Sequence, residues 1–351
     1  MQLTEADLTA LAFGCGLLGA GGGGETRTAT LMARESVRTR GPVEVVRHTD
    51  LAEDDLVLPC GLLGAPTVSA EKILSGDEAA GLVATTEERL GRRVTALMCL
   101  EVAGSNGLIP LVWAQRLGLK VVDADGIGRA FPMLTQVAMS VTDQKVAPVV
   151  ITDERGITVT LEGAVTSVWA ERLCRTVATV FGGRAAVSLF PMHAGDLPTA
   201  SILGSISHAL DLGRAVLGAR DRDGAVRRIP GAEVVLAGMV RDVQRTTANG
   251  FVRGHALIQG VDDDTGRLVR VEFRNENLVA LEDGAVVAAT PTIISVLDSV
   301  EMSAIATEDL VFGQMVTVVT LAAAPFWYTE AGLEAAGPHA FGYRLGPEAH
   351  S

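Results

Sequence analysis

Two carboxylates, Asp123 and Asp125, stand where a short apolar strand runs out in Leu119-Lys-Val-Val-Asp-Ala-Asp-Gly-Ile-Gly-Arg-Ala-Phe-Pro132. Two glycines and Arg129 follow, and Pro132 marks a place where a helix could begin. Small-molecule sites in open α/β sheets lie just beyond the carboxyl ends of strands, and two acids with a guanidinium there suit a polar ligand. A capped turn is the other reading, with Asp125 bonding backbone amides and Gly126 supplying a positive φ.

Other stretches carry chemistry in the same setting. In Pro59-Cys-Gly-Leu-Leu-Gly-Ala-Pro66, Cys60 follows a strand, where a helix N-terminus could lower its pKa and make it a nucleophile. A free cysteine also serves as a small buried apolar residue. Glu101 ends the apolar run Val94 to Leu100, a place for an acid or base; Asn106 is an amide recogniser or a helix cap. His193, in Phe190-Pro-Met-His-Ala-Gly-Asp196, could shuttle protons or bind a metal with Asp196 or Asp123, or simply be hydrogen-bonded in a loop. If the sheet is parallel, the four strand ends near Cys60, Glu101, Asp123 and His193 converge on one edge. The run Gly19-Ala-Gly-Gly-Gly-Gly24 precedes a helix, so its amides could hold a carboxylate or phosphate. It lacks the Gly-Lys-Ser/Thr ending of a P-loop, and a helix rather than a strand precedes it. In Arg274-Asn-Glu-Asn-Leu278, Asn275 and Glu276 either reach a cleft or cap a turn.

The elements that would position these residues alternate. Leu3 to Leu18 and Glu25 to about Val37 read as helices. Val43 to Arg47 and Leu56 to Leu58 read as strands. Helices follow near Ser69 to Leu74 and across Glu78 to Leu90, then a strand, a helix from Leu108 to Leu117, and the strand into the acidic motif. A hairpin spans Val146 to Leu161. Val165, Val168, Trp169, Leu173, Val177 and Val180 then recur at helical intervals. Ala185 to Phe190 is a further strand, and Thr199 to Leu217 a long helix. Alternation of this kind predicts an α/β domain with a mostly parallel sheet over residues 1–220. From about Asp221, short β-like pieces separated by turns such as Asp262-Asp-Asp-Thr-Gly266 predict a mostly antiparallel all-β domain over 221–322. The apolar tail, 323–351, is expected to return to the first domain or the cleft.

The chain of 351 residues is 48% hydrophobic and 20% charged, enough to bury sizeable cores, and two domains suit that length. A net charge of −13 argues against a nucleic-acid surface. The four cysteines have no Cys-x-x-Cys spacing, so a zinc knuckle is not expected. No apolar run approaches the roughly 20 residues that span a bilayer, and the acidic N-terminus is unlike a signal peptide. A cytoplasmic protein with reduced thiols is expected, with no nucleic-acid or membrane partner; a homo-oligomer is left open.

Several of these blocks together resemble one family along nearly the whole chain. They are Gly21-Gly-Gly-Gly24, Gly64-Ala-Pro-Thr-Val68 with Glu71-Lys72, Asp123-Ala-Asp-Gly-Ile-Gly-Arg-Ala-Phe-Pro132, Asn249-Gly-Phe251, Asn275-Glu-Asn277 and Gly337-Pro-His-Ala-Phe-Gly-Tyr343. The set is similar to the S-methyl thiohydantoin desulfurase family, found alongside hydantoinase and oxoprolinase subunits. The resemblance implies a two-domain hydrolase of a hydantoin-like ring, in which water replaces a methylthio group and methanethiol leaves, within breakdown of S-methylated ergothioneine. The resemblance does not assign the catalytic atoms; with the converging strand ends it suggests that Cys60 or water would add to the ring carbon. Asp123 or Asp125 would take a proton or hold a ring N–H, and His193 or Glu101 would protonate the leaving group. Arg129 and the amides of Gly21, Gly22, Gly23 and Gly24 would hold a side-chain carboxylate. Two rivals stand beside this: a hydrolase using a divalent metal such as zinc, held by Asp123, Asp125, His193 and Cys60, and a non-catalytic subunit of a hydantoinase complex.

Overall fold

The computed structural model describes residues 1–64, 68, 72–218, 222–248 and 251–345. The expected helix near Ser69 to Leu74, and much of the Gly64 to Glu71 and Asn249 to Phe251 blocks, lie outside these residues.

The first sheet contains β1 (Gln2–Leu3), β2 (Val43–Val46), β3 (Leu56–Gly64), β4 (Val94–Cys99), β5 (Lys120–Asp125), β6 (Val149–Thr152), β7 (Thr158–Leu161), β8 (Arg184–Ser188), β9 (Met192–His193) and β10 (Ile202–Leu203). Its order is β1-β2-β5-β4-β3-β8-β6-β7, with β10 added on β5 and β9 on β3. The four strands β2, β5, β4 and β3 run parallel. The β6–β7 hairpin and β8 continue the sheet antiparallel. Five of the six residues of β4 are buried, as in a strand covered on both faces. The longer helices are α1 (Glu5–Leu18), α2 (Thr26–Arg40), α3 (Glu78–Leu90), α4 (Ile109–Leu117), α5 (Ser167–Val180) and α6 (Ser205–Leu217). Helix α4 packs across β2 to β5, α3 and α5 lie over β6 and β8, and α1 packs along α6.

The second sheet is antiparallel throughout: β11 (Glu233–Ala248), β12 (Phe251–Gly260), β13 (Leu268–Arg274), β14 (Glu276–Glu282), β15 (Ala285–Ala289), β16 (Ile293–Asp298) and β17 (Met315–Leu321), in the order β15-β14-β13-β12-β11-β17-β16. The tail returns to the first domain. Trp327, wholly buried, donates from Nε1 to the Ile127 carbonyl at 2.6 Å and meets Phe131 edge to face at 4.9 Å.

Several elements depart from the sequence expectation. Strand β3 runs on to Gly64, so Cys60 is mid-strand rather than at a strand end. The long helix expected from Thr199 begins only at Ser205, because Ile202 and Leu203 pair with the end of β5 and Gly204 turns the chain at φ 74°. Arg222–Arg228, read as the start of the β-rich run, is helical. Strand β14 was hidden by its polar opening, Glu276-Asn277. Helix α5 faces the opposite way to its large apolar residues. Ala170, Cys174 and Ala178 are buried at four-residue spacing, while Trp169 is 55% and Val180 77% exposed. Glu171 is drawn inward on that same face to accept the Leu134 amide at 2.6 Å. Among the described residues no helix is long and apolar enough to cross a membrane, and the four cysteines are free and buried.

Helices α1 and α6 touch backbone to backbone. A β-carbon on Gly14 would fall 1.7 Å from the Ala209 carbonyl oxygen, and one on Gly213 would fall 1.6 Å from that of Ala10. No rotamer relieves a collision with backbone, so the helices must separate. Gly213→Ala is therefore expected to lose about 3 kcal/mol or more of stability, at or above the upper end of overpacking costs. Urea unfolding measures this, and a loss below about 0.5 kcal/mol would contradict the close crossing.

Candidate functional site

A cleft enclosing about 850 Å³ out to its open mouth lies where the carboxyl ends of the parallel strands meet the second domain. Its walls are the end of β3 (Leu62 to Gly64), the turn after β4 (Leu100, Glu101, Ser105 and Asn106), the segment after β5 (Ile127, then Phe131 to Leu134), Gly22 to Gly24, and Arg175 on α5. The second domain adds Asn275, Glu276 and Glu308. The strand-end rule thus places the site, and its second half comes from a different sheet.

Glu101 forms part of this wall. Asn106 Nδ2 donates to Glu101 Oε1 at 2.8 Å, while Asn106 Oδ1 accepts the Leu62 amide at 2.7 Å. Asn106 is neither a free amide nor a helix cap; it ties Glu101 to the end of β3. Burial pushes the Glu101 carboxyl up to about 8, aided by the Asp125 charge and opposed by the bond from Asn106.

Glu276 comes from the facing side. It is 3% exposed, and its Oε2 has no hydrogen-bond partner. Burial, then the Glu101 charge, hold its carboxyl well above the usual range, while Arg129 acts against both. The room for Glu276 is made by glycine, because a β-carbon on Gly22 would fall 2.2 Å from Glu276 Oε1. Asn275 makes the tight turn before it at φ 59°, its Oδ1 accepting the Val252 amide at 2.8 Å. Glu308, near the mouth, is also raised by burial.

The remaining sequence candidates take other places. Cys60 is fully buried in the sheet, level with Cys99 on β4 and Ser188 on β8, and does not line the cleft. Burial raises its thiol pKa, the reverse of what an activated nucleophile needs. His193 is at the opposite edge of the sheet. Strand β8 runs antiparallel to β3, so the chain after it arrives beside Leu56, the first residue of β3. There the exposed His193 ring lies near Arg92 and the Asp54 carbonyl. Asp123 holds the start of α6: its Oδ1 accepts the Ile206 and Ser207 amides at 3.0 Å, and its Oδ2 the Ser207 hydroxyl at 2.5 Å.

Asp125 is buried behind the cleft wall. Its carboxylate accepts the amides of Val102 at 2.8 Å, Ile127 at 3.1 Å and Gly128 at 2.8 Å, fixing the turns after β4 and β5. Burial lifts its pKa to about 7 against those three amides. The capped-turn reading therefore describes Asp125, except that Gly128, at φ 75°, supplies the positive φ in place of Gly126; Asp123 is a cap as well, at the start of α6. Arg129 is wholly buried at the domain seam. Its Nη1 donates to the Pro291 carbonyl at 2.6 Å and the Thr292 carbonyl at 3.1 Å, and its guanidinium covers Phe131. Gly21 lies behind the wall, its carbonyl accepting the Thr307 amide at 2.9 Å. The α2 N-terminus is occupied by Glu25, which accepts the Arg27 and Thr28 amides, so it offers no free anion site.

The proposed metal ligands Asp123, Asp125, His193 and Cys60 therefore do not meet. Among the described residues no group of three or more His, Cys, Asp or Glu side chains is placed to hold a metal ion. Arg175 and Glu308 were not anticipated. Arg175 donates from Nη2 to the Pro132 carbonyl at 2.8 Å and is paired with Glu171. The inward turn of the small-residue face of α5 carries it to the cleft, and the Ala170, Cys174, Ala178 stripe was the available signal.

An α/β domain closed by an antiparallel β domain, with Glu101 and Glu276 lining one cleft between them, defines the class. Family models described as S-Me-THD-like, N-terminal domain and S-Me-THD-like, C-terminal domain match residues 6–163 and 165–348. The chain belongs to this S-Me-THD-like family. The models divide just after β7, so β8 to β10 complete the first sheet from within the C-terminal match. The crystal structure of a protein from Chromobacterium violaceum has the same fold, at TM-score 0.83 and 23% identity over 99% of this chain and 98% of that one. No curated protein matches the sequence.

Glu101 leaves a stability signature. Unfolded, it titrates at the ordinary glutamate value of 4.5; folded, at about 8. Between these values the folded state binds the extra proton, so this contribution to stability falls as pH rises through the window. Asp125 and Glu276 act in the same direction. Glu101→Gln should remove its share, making the loss between pH 5 and 8 smaller by about 1–2 kcal/mol, below the full linkage value because the group lines an open cleft. Urea titrations at the two pH values measure it, and an unchanged difference would place Glu101 in ordinary solvent.

Proposed function

We propose that this chain is a hydrolase of a hydantoin-like ring, and that it exchanges the methylthio group of an S-methyl thiohydantoin for water. The observation that supports the reading most is that Glu101 and Glu276, from different domains, share one cleft and both hold protons unusually tightly. Membership of the S-Me-THD-like family points to the ring. The apolar wall of Leu62, Ile127, Phe131, Met133 and Leu134 suits a flat heterocycle.

In this mechanism water adds to the ring carbon bearing sulfur. A C–O bond forms, and the C=N electron pair moves to the ring nitrogen. Ionised Glu101 takes the water proton, while protonated Glu276 donates to that nitrogen. As the tetrahedral intermediate collapses, the C–S bond breaks and the leaving sulfur takes the proton from Glu101, giving methanethiol. The hydroxyl becomes the hydantoin carbonyl and restores a proton to Glu276, while the ring nitrogen keeps its own. Two acids with environments that separate their proton affinities can divide the acid and base roles in this way.

Glu101→Gln and Glu276→Gln should each lower thiol release about 10²- to 10⁴-fold, the usual contribution of a proton-transfer group. Cys60→Ala and His193→Ala should leave turnover per folded molecule within about twofold, well below that proton-transfer range. Activity should rise from pH 6 toward 8 as Glu101 ionises, and Glu101→Gln should abolish this limb. Thiol release from an S-methyl thiohydantoin, followed with a chromogenic disulfide, provides the assay. Full activity in either glutamine variant would refute the roles of the two acids, and loss only in the Cys60 variant would return the thiol to the mechanism.

A further inference from the structure

Beside the cleft mouth, arginines gather without matching acids. Arg253 on β12 and Arg274 on β13 are directly opposite each other in the antiparallel register. Like charges in that position repel, a cost a sheet normally avoids. Among the described residues neither has a carboxylate within 4 Å, although the chain carries a net charge of −13. The nearby acid Glu272 is already paired with Arg270 at 2.5 Å. Nor can Arg274 easily swing away. Its guanidinium lies 4.4 Å from the centre of the Phe251 ring, and Arg175 is also placed over that ring at 4.4 Å. Arg274 Nε is buried and has no hydrogen-bond partner. A concavity of about 490 Å³ is lined by Arg253, Arg274, His255, Tyr343 and Glu272, whose carboxylate is held by Arg270.

We propose that Arg253 and Arg274, with Tyr343 and His255 closing the concavity, form a binding site for a small oxyanion, a carboxylate or phosphate group. Two opposed guanidiniums offer several donors in fixed forks, the geometry that holds such an anion. A bound anion would turn their repulsion into two attractions. Arg175 lines the cleft and flanks the same aromatic ring, so the site borders the space between Glu101 and Glu276. The oxyanion therefore has two sources: a free ion, or an anionic arm on a molecule seated in the cleft. The site itself does not rest on the hydrolase reading, since its chemistry involves neither glutamate.

The experiment uses the full chain and the Arg253→Gln variant, chosen because Arg253 is exposed and its loss removes no packing. Melting midpoints are recorded in sodium phosphate and in sodium chloride of equal ionic strength. Binding is then compared for hydantoin and for hydantoin bearing a carboxymethyl group. A free-ion site raises the parent midpoint in phosphate above that in chloride, as ligand linkage requires, and the variant loses this shift. A site for a ligand arm gives the parent about tenfold tighter binding of the carboxylated ring, and the variant loses that preference. In chloride alone the variant should melt at the same temperature or higher, because one of two repelling charges is gone; a purely structural arginine would lower it. Arg274→Gln provides the second variant. The proposal fails if the parent shows neither the phosphate shift nor the ring preference, or if both variants retain whichever effect the parent shows.

Discussion

The candidate site depends on a glycine loop laid closely against a β-sheet, the glycines adding no side chains of their own to the contact. The chain from Leu17 to Gly24 leaves α1 and meets the second domain through its own carbonyls. Ser295 Oγ donates to the Leu17 carbonyl at 2.6 Å, the Asn277 amide to that of Ala20 at 2.7 Å, and the Thr307 amide to that of Gly21 at 2.9 Å. On the other side, the Ser105 amide donates to the Gly23 carbonyl at 2.9 Å. The loop thus joins the turn carrying Glu101 and Asn106 to the strand carrying Glu276. A side chain there would act as a spacer. At Gly21 it would meet Thr307 and Asn277, and at Gly23 the Ala103 backbone. The entropic cost of so many glycines is set against a distance that only glycine permits.

Around this seam the two domains share one apolar cluster, in which Ile293, Leu297 and Val319 pack with Trp327 and the first-domain core. Arg129 crosses the same boundary to carbonyls after β15, and Trp327 returns from the tail to the Ile127 carbonyl. These ties anchor the segment after β5, Arg129 to the second domain and Ile127 to the tail. Asp125 fixes that segment from behind through three amides. The acidic motif is therefore structural: it sets the wall against which a ligand rests and contributes neither carboxylate to the cleft.

Much of this was legible from residue types. Alternating apolar segments specified the α/β domain, and turn-punctuated strands the second sheet. The strand-end rule led to Glu101, and the glycine run to Gly22 through Gly24. Asn275 and Glu276 stood out as a polar break after an apolar strand, although the strand they begin was missed. What could not be read was direction. Strand β8 reverses against β3, which sends His193 to the far edge, and no local pattern in Ala185 to Phe190 distinguishes a parallel from an antiparallel partner. Cys60 was misplaced for a related reason. The residue pattern reads as a strand over Leu56 to Leu58 alone, yet β3 continues to Gly64, and Gly61 lies close to Asn106. Helix α5 misled because its apolar residues are large outside and small inside, so periodicity gave the element but the wrong face.

Glu101, Asp125, Glu276 and Glu308 all lie within a short span of the seam, and burial raises the pKa of each. Arg129 is the buried cation that acts against the charge on Glu276 and Glu101, and it forms no direct ion pair with either. A fold selected for stability alone would pair these acids or replace them by apolar residues of similar size. Asp125 has a structural return in its three amides. Glu276 has none of that kind: one oxygen is buried and unsatisfied, and a neighbouring glycine is required to admit the other. An unsatisfied acid held at the meeting point of two domains, facing a second acid across an open cleft, carries a folding cost that its own contacts do not offset. Under the proposed hydrolysis, proton transfer to a bound molecule gives such an arrangement a use.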